Sequence, residues 1–166
     1  MTPVRVGFAG GTTAIDRAIQ AVSGSEYCDI THAFIYLFGG IVEAEGVKEF
    51  SDKYPGVWLH PPNKYQPSNE HVKIVEVNLP DIKDPKAKAC ALLGTPYSYH
   101  GCLEAAAELA GIELPVDGSH TVMCSEAVTM ISRAGGLYAC SGIEPDYVTP
   151  VMLYNDLINN HGGVLV

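Results

Sequence analysis

The nucleophiles and bases of this 166-residue chain are five cysteines and six histidines, and one cysteine stands where a helix should begin. From Met123-Cys124-Ser125-Glu126 onward, Ala127, Met130, Ile131 and Ala134 recur at the spacing of one buried helix face. Gly135-Gly136 then supplies the left-handed turn that ends helices. A thiol at a helix start faces the unpaired amides of the first turn, and their partial positive charge favours the nucleophilic thiolate. Alone, such a cysteine is more often an inert core residue. A base is also needed. His32 lies in the apolar run Ile30 to Leu37, which alternates as a strand with His32, Phe34 and Tyr36 on one face and Ala33, Ile35 and Leu37 on the other. Gly39-Gly40 signals a hairpin, and Ile41 to Glu45 returns with Glu43 and Glu45 on the histidine's face.

The other candidate chemistries are weaker. Cys28, Cys90, Cys102 and Cys140 give, with Cys124, an odd number and no C-x-x-C pair, which argues against a disulfide framework and a zinc knuckle. No two histidines have the i, i+4 spacing of a helical metal site. We therefore expect no metal and no cofactor. Gly10-Gly11 before a helix lacks the remaining residues of a phosphate loop.

The elements that must position these groups can be read from the pattern around them. Val4 to Phe8 alternates as a strand. Thr12 or Thr13 caps a predicted helix over residues 14–22. Ser51 to Glu70 carries Pro55, Pro61, Pro62 and Pro67 with Tyr54, Trp58 and Tyr65, and reads as a long ordered loop, either a wall of a substrate cleft or a cover for a sheet edge. Val72 to Leu79 is a strand. Asp84 caps and Pro85 opens a helix to about Leu93. Residues 102–110 form another helix, ended by Gly111. Thr149-Pro150 starts the last, through about Ile158.

Length and composition predict one domain over residues 1–166. A net charge of −9 with no basic run argues against a nucleic-acid partner. No apolar run is long enough for a transmembrane segment. The N-terminus has no signal-peptide pattern, and unpaired thiols suit a reducing compartment, so a cytoplasmic location is expected. Oligomeric state is not readable.

Thr31-His32-Ala33-Phe34-Ile35-Tyr36-Leu37, Ile41-Val42-Glu43-Ala44, Gly94-Thr95-Pro96-Tyr97-Ser98-Tyr99 and Cys124-Ser125-Glu126-Ala127-Val128 together resemble the NlpC/P60 superfamily of papain-like cysteine hydrolases. The histidine block precedes the cysteine block, which resembles the circularly permuted YiiX/YaeF-like branch, related to the lecithin:retinol acyltransferase-like proteins. Ile15-Asp16-Arg17-Ala18-Ile19 and Val148-Thr149-Pro150 also fit that branch. The resemblance implies an α+β, circularly permuted papain-like fold, with an antiparallel sheet packed against the cysteine helix. It implies Cys124 as nucleophile, His32 as general base, Glu43 as the group orienting the imidazole, and Tyr97 lining the site. The expected reaction is cleavage of an amide or ester bond through an acyl-enzyme, on a peptide, an amino-acid amide or a lipid-like acyl compound. An acyltransferase and a non-catalytic ligand-binding domain are the alternatives. A turn at Gly39-Gly40 pairs Tyr36 with Glu43, Phe34 with Glu45 and His32 with Val47, which makes Glu45 the diagonal neighbour of His32. The motif favours Glu43 and this ladder favours Glu45. Glu43 is the expected partner and Glu45 the reserve; Glu45, Tyr97 and Trp58 are the expected substrate-side residues.

Overall fold

A computed structural model describes residues 1–10, 30–65, 71–100 and 120–166. Alternating β-branched and aromatic residues form the strands β1 (Thr2–Ala9), β2 (His32–Leu37), β3 (Gly40–Glu45), β4 (Gly56–His60), β5 (Val72–Leu79) and β6 (Val164–Leu165). They make one six-stranded sheet in the order β4-β3-β2-β1-β5-β6, and every pairing is antiparallel. The described residues add three α-helices, α1 (Lys83–Leu92), α2 (Cys124–Ala134) and α3 (Pro150–Asn160). The architecture is α+β. None of the described helices is long and apolar enough to cross a membrane.

The two sheet faces have different partners. Val6, Phe8, Ala33, Ile35, Val42, Ala44, Val57, Val75 and Val77 project into one core with Ala127, Val128 and Ile131 of α2 and Leu153 and Leu157 of α3. Fully burying each large apolar side chain there contributes about 1.5–3 kcal/mol. The opposite face carries a smaller cluster of Ala9, Phe34, Ile41 and Ile74, with Tyr36, Tyr65 and Val72 against it. His32, Glu43 and His60 fall on this second face by strand alternation.

Several boundaries differ from those the sequence predicts, each for a physical reason. The β2–β3 turn is Phe38-Gly39, not Gly39-Gly40: Leu37 pairs with Gly40 and Tyr36 with Ile41. Phe38 and Gly39 have φ of 56° and 71°, the two left-handed residues of a type I′ hairpin. Gly40 lies inside β3, where a Cβ would come 2.6 Å from the carbonyl oxygen of His60. Its small size admits β4. The register therefore moves by two residues, which preserves the faces and changes the neighbours. Continuing it sets Phe34 opposite Glu43 and His32 opposite Glu45, with Glu43 the diagonal neighbour of His32.

The expected loop from Ser51 to Glu70 contains β4. Its prolines flank the strand rather than forbid it, because β4 is an edge strand; residues 66–70 lie outside the described part. Strand β2 starts at His32 rather than Ile30, and β1 extends to Thr2. Asp84 is not a cap: α1 begins at Lys83 after Ile82, and Asp81 Oδ1 accepts from the Lys83 amide at 2.8 Å. Thr149 does cap α3, with Oγ1 accepting from the Met152 amide at 3.2 Å. The predicted helices over 14–22 and 102–110 lie outside the described residues.

Candidate active site

Helix α2 begins at Cys124, with Met123 as the extended residue before it. The Met123 amide donates to Glu126 Oε2 at 3.1 Å, so the first turn folds back on its own entry. Ser125 is fully buried, and its Oγ donates to the Val148 carbonyl at 2.5 Å. The approach to the helix is clamped as well: the Ser98 amide donates to Val122 O at 3.1 Å and the Val122 amide to Pro96 O at 3.0 Å. Tyr97 in that bridge packs against Met123. The cysteine is thus held at a fixed place and is itself only 3% exposed.

His32 opens β2, and the Cys124 thiol lies within hydrogen-bonding reach of its ring. Nε2 is 2.7 Å from Glu43 Oε2 and 3.6 Å from Glu45 Oε1. Glu43 is therefore the hydrogen-bonded acid and Glu45 stands beyond that range. With Nε2 on the carboxylate, Nδ1 is the nitrogen not engaged by Glu43. The ring lies 6.0 Å from those of Phe34 and Tyr65, which wall it in. Burial opposes charge on this imidazole. The hydrogen bonds to Cys124 and Glu43, and the charges behind them, nevertheless raise its pKa well above the usual value.

Glu43 is fully buried and receives four donors. Oε2 faces His32 at 2.7 Å and the Tyr65 hydroxyl at 2.8 Å, while Oε1 faces His60 Nδ1 at 2.6 Å and Lys64 Nζ at 2.8 Å. Burial alone would protonate it. Hydrogen bonds from His32 and His60 and the charges of His32 and Lys64 outweigh burial and hold the carboxyl far below the usual range. Burial and the charges of Glu43 and Glu45 push the Tyr65 phenol far above its ordinary range, so it stays a donor. Burial also works against the Lys64 ammonium, but the charge of Glu43 and hydrogen bonds to Glu43, Glu45 and Glu49 raise its pKa.

The structure also places the remaining expected residues. Glu45 accepts from Lys64 at 2.7 Å and from Tyr65 at 2.9 Å. Trp58 lies opposite Glu43 in the β3–β4 register, and its Nε1 donates to Tyr54 O at 2.8 Å, leaving only its ring for a ligand. His120 is exposed. His32, Glu43 and Glu45 offer ligand atoms within 4.8 Å of one another, but the Lys64 ammonium already bridges the two carboxylates as their cation. Of the described thiols, Cys90 is exposed and Cys140 is buried. Burial and the nearby Asp156 push Cys140 up to about 11, against the opposing charge of Arg133, so it is a poor nucleophile at neutral pH.

Sequence reasoning missed His60, Asp52, Lys64 and Tyr65. The alternation in Gly56-Val57-Trp58-Leu59-His60 was the available signal, since a strand there puts His60 on the face of Glu43. No local pattern points to Lys64. No family model matches the chain, and no curated protein matches it. The chemistry the arrangement can perform is read from its own atoms: a thiol, an imidazole in contact with it, a buried carboxylate behind the imidazole, and helix-start amides beside the sulfur.

Proposed function

We propose that the chain is a cysteine hydrolase of amide or ester bonds, on a fold of the permuted NlpC/P60 type. One observation carries the reading: the His32 imidazole interacts with both the Cys124 thiol and the buried carboxylate of Glu43. The β2–β3 hairpin beside a cysteine helix, and the bridge of residues 96–98 that seats Tyr97 next to Met123, support the fold assignment.

In this reading Cys124 Sγ, as thiolate, attacks the carbonyl carbon and forms a C–S bond. The oxyanion is met by backbone amides at the start of α2; such donors are typically worth about 2.7–4 kcal/mol each. The His32 imidazolium gives its proton to the leaving amine or alcohol as the C–N or C–O bond breaks. His32, now neutral, takes a proton from water. The hydroxide attacks the thioester, releases the acid and restores the thiol pair. Glu43 fixes the ring and stabilises its charged form without taking the proton. A different acceptor in place of water makes the same site an acyltransferase.

The burial of Cys124 favours a second reading, a ligand-binding domain without turnover. Alkylation by iodoacetamide at pH 7, mapped by mass spectrometry, separates the two. A catalytic pair gives labelling of Cys124 ahead of exposed Cys90, abolished in His32→Ala, and capture by an acyl-type activity probe. Slow labelling of Cys124, indifferent to His32, overturns the hydrolase.

A further inference from the structure

Behind Glu43 lies a second histidine that the acyl-transfer scheme leaves without a role. His60 ends β4, and its side chain is 1% exposed. Both ring nitrogens are engaged by carboxylates: Nδ1 with Glu43 Oε1 at 2.6 Å, and Nε2 with Asp52 Oδ1 and Oδ2, each at 3.0 Å. Asp52 is itself fixed. Its Oδ2 accepts from the Glu49 amide at 3.2 Å, and its amide donates to Glu49 O at 3.0 Å. The Phe50 ring covers the imidazole, with centroids 5.0 Å apart.

The geometry points to His60 and Asp52 as a second imidazole–carboxylate couple that positions Glu43 behind His32. This rests on the cysteine-hydrolase reading and deepens it. The line of contacts runs Asp52, His60, Glu43, His32, Cys124, with the carboxylate of Glu43 gripped by one imidazole on each oxygen. Rotation of that carboxylate would break a bond to one ring or the other, so the acid is locked in the plane that serves His32. Burying an ion pair is costly unless every partner is satisfied, and here both nitrogens of His60 and both oxygens of Asp52 are.

Among the described residues, the charged and titratable groups around the couple are few. Glu43 comes from β3, Asp52 from the turn before β4, and Lys64 from the segment after it, with Nζ 3.5 Å from His60 Nδ1. Tyr65 and Glu45 face the same carboxylate and the same lysine, Glu49 pairs with Lys64 at 2.8 Å, and Tyr36 feels the charge of Glu43. Burial and the Lys64 charge oppose protonation of His60. Hydrogen bonds to Glu43 and Asp52 prevail and raise its pKa. With both ring nitrogens donating to carboxylates, His60 in this arrangement is an imidazolium whose charge offsets part of what Glu43 presents to His32.

Nitrogen-15 NMR of the histidine rings in the full chain, read alongside the pH dependence of Cys124 alkylation, tests this. In the native chain His60 should carry protons on both ring nitrogens at pH 7. In Asp52→Asn its titration should fall by about one pH unit. As His60 becomes neutral, Glu43 is offset less, so the His32 midpoint should rise, and the limb of the alkylation profile that tracks His32 should move to higher pH. His60→Asn, which retains a donor toward Glu43 but no link to Asp52, should give the same upward displacement. A neutral His60 ring in the native chain at pH 7 overturns the proposal, and that observation needs no variant. So does a folded Asp52→Asn chain whose His32 titration and Cys124 profile stay in place. Failure of the hydrolase reading shows differently, as native Cys124 that is not labelled selectively at all.

Discussion

At the scale of single residues, Glu43 is where most of the site's electrostatics converge. Its neutral isostere should separate charge from shape. Glu43→Gln keeps the volume but loses the charge that holds the proton on His32. The His32 titration should move down toward its ordinary value of about 6.5, and Cys124 alkylation at neutral pH should slow by about 10²-fold, the lower end for losing a positioned acid–base partner. Ring NMR and a timed alkylation series measure the two. Glu45→Gln is the control. Glu45 lies 3.6 Å from His32 Nε2, so its loss should change the alkylation rate only slightly. The contrast also shows what was legible in advance. The types Cys, His and Glu could be picked out because chemistry restricts them. The choice between the two glutamates was not legible: even the observed register sets Glu45 opposite His32, and only the direction of the side chains gives the 2.7 Å contact to Glu43.

At the scale of elements, the β2–β3 turn invites its own test. Phe38 adopts φ of 56° and is 42% exposed. A left-handed conformation costs an ordinary residue about 1–2 kcal/mol, and asparagine bears it more easily. Phe38→Asn should raise the stability of the chain by about 1 kcal/mol, seen as a higher midpoint in urea, with Cys124 labelling unchanged. The same rarity explains why Gly39-Gly40 misled: bulky residues seldom take the first hairpin position, and nothing local announces one that does. Strand β4 was obscured for another reason. Pro55, Pro61 and Pro62 suggest irregular chain, whereas at a sheet edge they only bound a short strand. With β4 taken for loop, His60 has no face to be assigned to, and Asp52 lies in a turn that no strand pattern reaches. The cysteine helix was legible because its apolar stripe and its glycine stop agree, and the last helix because Thr149-Pro150 marks its start.

At the scale of the whole molecule, the buried charges predict how stability varies with pH. His32, His60 and Lys64 have raised pKa values in the folded chain. Their contribution is complete below the unfolded values, about 6.5 for the histidines, and is lost as pH rises through the raised folded values. Glu43 and Asp156 are lowered. Their contribution is complete above the unfolded carboxylate values, about 3.9–4.3, and is lost as pH falls through the folded ones. Thermal melting should therefore show a plateau on the acid side of neutrality, from about pH 4.5 to 6.5, with a decline above it. Glu43→Gln should flatten that decline. A chain whose melting temperature climbs steadily from about pH 6 to 9 would contradict the assigned charges.

His32 and Glu43 ride on a single hairpin, and the Cys124 sulfur arrives on a separate, much later piece of chain. On the proposed hydrolase reading, a backbone break between Glu43 and Cys124 would leave one fragment with the imidazole–carboxylate pair and another with the thiol, each unreactive alone. Thiol reactivity that reappears only on mixing the two would make this molecule a split reporter, in which restored labelling registers the rejoining of sheet and helix.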